Sequence, residues 1–401
     1  MGVLSQAACR LAVHRIGARR RNRLYRTGYS GKSLAVEYYD LLASSGSHEE
    51  ARDRLLELLR EKPDDGAILR ALAVVYGLLD QPAQVARSYQ KAIRANPQDA
   101  ESHFNLALLY LQHGNYLPGF IEYEWRVPQA KMKPPANAPG AVPWDGRVLR
   151  EEALVVHCEQ GLGDCVQFIR FLPLVRERVA KIYLVCYPAL LRLFSGLEGL
   201  AGIVTDKDTL PACAFHCPLL SLPRIFKTTM ETLPRTIPYL PVTGVERPAG
   251  TRRRIGLVWR ANAVSRNGSY RSVPLADLRP LADLPVDWIS LQKDPTEEER
   301  AVLRADFAAE DGGSAFQDMK DTADVVETLD LVLTVDTSVA HIGGALGRST
   351  WVMLPRYSDW RWLLDRSDSP WYPTVTVFRQ KAEDSWAELI RAVRQSLQSW
   401  T

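Results

Sequence analysis

A chain of 401 residues, 46% hydrophobic and 24% charged, is long enough for about three domains of ordinary size and too apolar to be disordered throughout. A net charge of only +3 argues against a general binder of nucleic acid or other polyanions, and no run of about 18 apolar residues is present to cross a membrane as a helix. Six cysteines without a paired framework exclude a disulfide scaffold; Cys158, Cys165, Cys186 and Cys217 lie in or near apolar segments and are expected as reduced, packed thiols.

Residues 1–30 carry Arg10, Arg15, Arg19, Arg20, Arg21, Arg23 and Arg26 and no acid. A disordered basic arm is expected, with peripheral contact to an anionic membrane as the other reading. The arm lacks the long apolar core of a signal peptide, so a cytoplasmic location is expected.

Residues 31–127 are organised by repetition. Pro63 and Pro97 stand 34 residues apart, and aligning on them superposes Leu72-Ala73 on Leu106-Ala107, Tyr76 on Tyr110 and Tyr89 on Tyr123. That is the tetratricopeptide period. A weaker repeat covers residues 32–62. Ala73 and Ala107 let paired helices approach, and the four tyrosines fill gaps between layers. In the third repeat Pro118 and Gly119 open the second helix, which ends in Glu122-Tyr123-Glu124-Trp125-Arg126; it is expected to cap the array against the part that follows. The paired helices offer a surface suited to a protein partner.

Residues 128–148 include Pro134, Pro135 and Pro139 and read as an extended linker. Next, Ala153-Leu154-Val155-Val156 is a short buried strand, followed by Glu159-Gln160-Gly161-Leu162-Gly163-Asp164 and an apolar helix. Gly161 and Gly163 stand where backbone must approach something closely. The G-x-G-D run lacks the last glycine of a dinucleotide fingerprint and has no clear acidic ribose ligand downstream, which argues against a nicotinamide enzyme. Asp164 instead presents a carboxylate at the turn. Asp206-Lys207-Asp208 resembles a metal-binding D-x-D, but it lies between residues 203–204 and 209–211 as a solvated turn. Cys213, His216 and Cys217 lack the partner pair a zinc site needs. No metal or cofactor is expected.

A boundary at residues 241–254, with Gly244, Pro248 and Gly250, separates residues 149–245 from 250–401. The strand 255–259 opens the latter. The most informative segment is Leu331-Val332-Leu333-Thr334-Val335-Asp336-Thr337-Ser338-Val339-Ala340-His341: a buried strand that stops at an acid and two hydroxyls before a helix. Its first-turn N–H groups and dipole make a phosphate cradle, capped by Asp336, Thr337 or Ser338, with His341 on the first turn. Gly347 is placed to end that helix. An acid on one sheet and an anion site on another suit group transfer from a nucleotide-linked donor, the acid serving as base. Asp359-Trp360-Arg361-Trp362 and Pro370-Trp371-Tyr372-Pro373 suit sugar or base stacking, or packing between domains. The last helix, with Trp386, Leu389, Ile390, Val393 and Leu397 at helical spacing, either crosses back to the first half or lies on the surface.

Gly161-Leu162-Gly163-Asp164, Trp259 after its strand, Leu291-Gln292-Lys293, and Val335 through His341, in this order, resemble the bacterial heptosyltransferase-type glycosyltransferases, particularly those with tetratricopeptide repeats in front. The likeness covers residues 150–395. It implies two facing Rossmann-like halves (GT-B), acceptor in the first and nucleotide-sugar donor in the second, with metal-independent inversion at the anomeric carbon. On the matching positions it makes Asp164 the base. Asp336, Thr337, Ser338 and His341 would contact the donor, and Lys293 and Arg271 would neutralise the departing diphosphate. Relatives specific for heptose tend to have Gly where this chain has Ser338, which puts a heptose donor in doubt. The expected architecture is therefore a helical array followed by α/β domains, and the expected activity is glycosyl transfer to an acceptor hydroxyl, on a protein recruited by the repeats. The alternatives are a non-catalytic scaffold and a transferase for a lipid-linked or polysaccharide acceptor.

Overall fold

The computed structural model describes residues 46–129, 134–242, 244–250, 252–262, 268–381 and 386–400. The basic arm and the front of the weak first repeat lie outside them. The chain divides into two units, the repeats together with Tyr357–Asp365 and the remainder.

The repeat unit is built from α1 (His48–Glu61), α2 (Gly66–Leu78), α3 (Pro82–Ala95), α4 (Ala100–Gln112) and α5 (Tyr116–Tyr123). The starts of α2 and α4, and of α3 and α5, keep the 34-residue period. The repetition extends to the caps: the Asp65 carboxylate accepts from the N–H groups of Ala67 and Ile68, and that of Asp99 from Ser102. Asp99 also takes Arg70 of the preceding repeat at 2.5 Å. Burial alone would raise its carboxyl, but bonds from Ser102 and Arg70 outweigh burial and hold it below the usual range. Ala73 and Ala107 are fully buried, and Tyr89 and Tyr123 nearly so, as close helix approach requires.

Tyr357–Asp365, which leaves the second half of the chain between two of its strands, is part of this unit's core. The Trp360 ring meets Phe120 and Tyr123 edge-on at 6.0 and 5.9 Å, and Trp360 and Trp362 are each 1% exposed. Arg361 lies over Trp360, its guanidinium paired with Asp359. Of the two expectations for this aromatic segment, packing is the one met. The domain boundary is corrected accordingly: residues 250–401 do not form one unit.

The other unit holds two wholly parallel sheets. The first contains β1 (Val142–Pro143), β2 (Leu149–His157), β3 (Val179–Val185), β4 (Gly202–Val204) and β5 (Phe215–Pro218), in the order β1-β5-β2-β3-β4. The second contains β6 (Arg254–Val258), β7 (Asp287–Ser290), β8 (Glu310–Asp311), β9 (Leu331–Val335), β10 (Thr350–Leu354) and β11 (Val375–Arg379), in the order β11-β10-β9-β6-β7-β8. Counted from its own first strand, the second sheet runs 3-2-1-4-5-6, the Rossmann order, and the first runs 3-2-1-4 with β1 added at the edge. β9 is buried at every position, as a central parallel strand covered on both faces must be. The linker expected at residues 128–148 thus contributes a strand: β1 pairs with β5 through Val142 and Pro143.

The helices that matter for the site are α6 (Leu162–Phe168), α7 (Glu297–Ala305), α8 (Met319–Glu327) and α9 (Ser338–Ala345). The last helix, α10 (Ala387–Trp400), buries Leu389, Ile390, Val393 and Leu397 in the same core as β6, β7, β9 and β10. It does not cross back to the first half, because its apolar stripe is used on its own sheet.

Candidate functional site

In open parallel sheets, ligands bind beyond the carboxyl ends of the strands where strand order reverses. Those points are β2/β5 in the first sheet and β6/β9 in the second. Both motif turns stand there: Gly161-Leu162-Gly163-Asp164 follows β2, and Asp336-Thr337-Ser338 follows β9.

The two turns meet. A methyl group on Gly163 would lie 2.8 Å from His341 Cδ2 and 3.3 Å from Ser338 Cα, so only glycine allows α6 and α9 this approach. Asp164, half-buried, accepts from the Gly161 N–H at 2.7 Å through Oδ2 and closes the first turn of α6 as a capping-box acid.

The cradle has the expected form with one difference in its cap. Thr337 is the N-cap of α9 in extended conformation, but its side chain makes no capping bond. Its hydroxyl instead lies 3.1 Å from that of Thr334, whose own proton goes to the Val335 carbonyl at 2.8 Å. The first-turn N–H groups are therefore left uncapped by Thr337, a suitable anion position. Gly347 closes the far end with φ +71°.

Asp336 is buried, and Arg271 pairs with it at 3.2 Å. An anionic ligand beside a bare carboxylate would be repelled, and this pairing offsets that charge at the cradle's edge. His341, 5% exposed, makes a 2.9 Å hydrogen bond through Nδ1 to the Tyr372 hydroxyl. Lys293 stands apart, exposed on the loop after β7, two strands from β9. Among the described residues no carboxylate lies within ion-pair distance of it. The structure thus brings together Gly163, Ser338 and His341, and separately Arg271 and Asp336, and leaves Lys293 on its own loop.

Several neighbours escaped sequence reasoning. Glu299 on α7 accepts from Trp259 Nε1 at 2.7 Å and pairs with Arg260 at 3.0 Å, while Gln292 accepts from the Arg260 N–H at 3.0 Å. These bonds fasten the loops after β6 and β7 to α7. The signal available was Thr296 followed by Glu299, a capping box that the structure contains. Burial acts to raise the Glu299 carboxyl, but the bonds from Arg260, Trp259 and the Thr296 N–H prevail and hold it below its ordinary value near 4.5. A depressed carboxyl stabilises the fold above its unfolded pKa, and that contribution disappears as pH falls through the folded value. Wild type should therefore exceed Glu299→Gln in melting temperature at pH 7, with the gap closing as pH drops below about 4. A gap unchanged with pH would show that the charge is irrelevant.

The motifs set aside in the sequence find structural explanations. Asp208 accepts from the Thr205 N–H and hydroxyl at 2.7 and 2.8 Å, so Asp206-Lys207-Asp208 is an exposed, self-capped turn. His216 packs against His157, their rings 5.5 Å apart, and burial lowers its pKa. Among the described residues no group of three or more His, Cys, Asp or Glu side chains is placed to hold a metal. Trp371 and Tyr372 are each 1% exposed and pack between the halves of this unit rather than offering a stacking face.

A family model described as tetratricopeptide repeat matches residues 88–117. Protein FlbA of Caulobacter vibrioides is 25% identical over 340 residues, 76% of this chain and 56% of its own length, so the chain spans about half of that relative. Among solved structures, E. coli ADP-heptose lps heptosyltransferase II is similar with a TM-score of 0.47 and 13% identity, covering 62% of this chain and 98% of that one. The iron-containing dodecameric glycosyltransferase TibC of enterotoxigenic E. coli is similar with a TM-score of 0.43 and 11% identity, covering 64% and 78%. The segment matched by the repeat model runs from within α3 through α4 to the start of α5.

Proposed function

We propose that the chain is a glycosyltransferase that moves a sugar from a nucleotide-sugar donor to an acceptor hydroxyl with inversion. The observation that supports this is the close approach of Gly163 to Ser338 and His341 at the start of α9, since the residue after Gly163 is an acid and the start of α9 is the segment read as an anion cradle. Asp164 takes the proton of the acceptor hydroxyl as its oxygen attacks the anomeric carbon. The bond from that carbon to the phosphate oxygen breaks, and the nucleoside diphosphate departs with the electron pair. The α9 N-terminus, with Thr337 and Ser338, receives the growing negative charge together with Arg271 and Lys293. Positive side chains and a helix end supply the stabilisation, and the reaction needs no metal. The repeats recruit the acceptor, a protein, because stacked helix pairs present an extended surface to a polypeptide.

A thermal-shift panel of nucleoside diphosphates and nucleotide sugars tests the reading. One selective stabiliser is expected, worth about 2.7 kcal/mol when present at 100 times its Kd; no stabiliser across the panel would favour a scaffold. Lys293→Ala should weaken diphosphate binding about tenfold, and a chelator should leave transfer intact. Loss on chelation with rescue by a divalent ion would overturn the metal-free mechanism. With a labelled donor, label is expected in protein; label in lipid or polysaccharide would replace the protein acceptor.

A further inference from the structure

We propose that Tyr187 is a positioning residue for Asp164: it fixes the plane of the Gln160–Gly161 peptide and, through that plane, the N–H that holds the acid. Tyr187 follows β3, and its phenol O–H donates to the Gln160 carbonyl at 2.9 Å. The Gly161 N–H donates to Asp164 Oδ2 at 2.7 Å. Both directions are fixed by chemistry, since a carbonyl oxygen can only accept and an amide N–H can only donate. The carbonyl of Gln160 and the N–H of Gly161 belong to one planar unit. Holding the oxygen therefore sets where the hydrogen points, and a rotation of the plane would break both bonds.

The backbone of the turn shows why a fastening is needed. Gln160 stands at φ +60°, in the left-handed region that a residue with a Cβ rarely adopts. Such a conformation persists only where the surroundings impose it. On either side of Gln160 the chain is tied down: the Glu159 carboxylate, 3% exposed, accepts from the Leu220 N–H at 3.2 Å, and the Gly161 carbonyl accepts from the Cys165 N–H at 3.2 Å. Tyr187 holds the carbonyl between them. It is itself anchored as the cap of the short turn Pro188–Leu190, where the Leu190 N–H returns to the Tyr187 carbonyl at 2.8 Å and the Leu190 side chain is buried. Burial, and after it the charges of Cys165, Cys158, Glu159 and Asp164, push the phenol up to about 12, so the O–H keeps the proton it donates. Beyond the far end of α6, the Arg170 guanidinium donates to the carbonyls of Trp371 at 2.5 Å and Pro234 at 3.2 Å and to the Tyr239 hydroxyl at 3.0 Å. The helix that carries the acid is thus fastened at both ends, by Arg170 and by the turn that Tyr187 sets. The role of the acid as base rests on the transferase reading, whereas the hold on its turn does not.

Tyr187→Phe keeps the ring and removes only the O–H. In the full-length protein labelled with nitrogen-15 glycine, the Gly161 amide, assigned by its loss in Gly161→Ala, should exchange with solvent about fivefold faster in Tyr187→Phe than in wild type. Gly256, in the buried strand β6, should keep its protection and so shows that the fold is intact. Asp164→Ala, which removes the acceptor, should loosen the same Gly161 amide. Equal exchange at Gly161 in wild type and Tyr187→Phe, or in wild type and Asp164→Ala, would overturn the proposal. Should the panel above find no donor, these rates still decide whether Tyr187 holds the turn. Where a donor is found, and with donor and acceptor saturating, Tyr187→Phe should lower kcat about fivefold and leave the donor KM unchanged. If Asp164→Asn stops transfer while Tyr187→Phe keeps the wild-type kcat, the positioning role is wrong and the base stands. If both variants keep it, the reading of the base fails and takes the positioning role with it.

Discussion

Replacing Asp164 by Asn should lower transfer by about 10²-fold or more while leaving donor affinity and stability close to wild type. The activity loss follows from the role proposed for the carboxylate, since an amide cannot take the acceptor's proton. The unchanged stability follows from the capping box: Oδ2 of Asp164 accepts from the Gly161 N–H, and the oxygen of an asparagine amide can do the same. Asp164→Ala removes both functions and should lose about 1 kcal/mol of stability as well. The pair of variants separates the two uses of one carboxylate. Equal activity in wild type and Asp164→Asn, measured with the donor found in the panel, would mean that another group is the base. A stability loss in Asp164→Asn as large as in Asp164→Ala would mean that the charge, not the acceptor oxygen, supports the turn.

Local chemistry accounts for what was legible in the sequence. β9 could be read because five buried branched or apolar residues end at an acid and two hydroxyls, and the period of the repeats because Pro63 and Pro97, with the Leu-Ala pairs and tyrosines that follow them, recur at fixed spacing. The positions of Asp164, Thr337 and His341 within their turns follow from the same local rules. The meeting of Gly163 with Ser338 and His341 does not, since it depends on how two sheets face each other, and no residue near either turn encodes that angle. Arg170 was passed over as one charge in an apolar helix; its partners Pro234, Tyr239 and Trp371 are 64 to 201 residues away in sequence. The linker's strand was missed because Val142 and Pro143 gain strand form only from the edge of β5, and a two-residue run carries no period.

The aromatic segment after β10 shows how composition alone can point to the wrong role. Tryptophans beside Asp359 and Arg361 have the look of a sugar platform, yet a platform must expose a ring face, and Trp360 is 1% exposed against Phe120 and Tyr123. Trp360→Ala should therefore act as a core truncation and lower stability by about 3–5 kcal/mol, the range for removing a large buried aromatic. Because Phe120 and Tyr123 belong to α5, the loss should appear first in the repeats, as faster amide exchange in α4 and α5 at temperatures where β9 and α9 remain protected. Donor affinity below the new melting temperature should stay within about twofold of wild type, since the residues proposed to hold the donor belong to the other unit. If Trp360→Ala leaves stability unchanged and weakens donor or acceptor binding, the ring is a stacking platform after all. The same packing governs how the repeats can be tested: cutting the chain at residue 127 would strip Trp360 of Phe120 and Tyr123, so loss of transfer in such a truncation would report an uncovered core before it reported a lost acceptor.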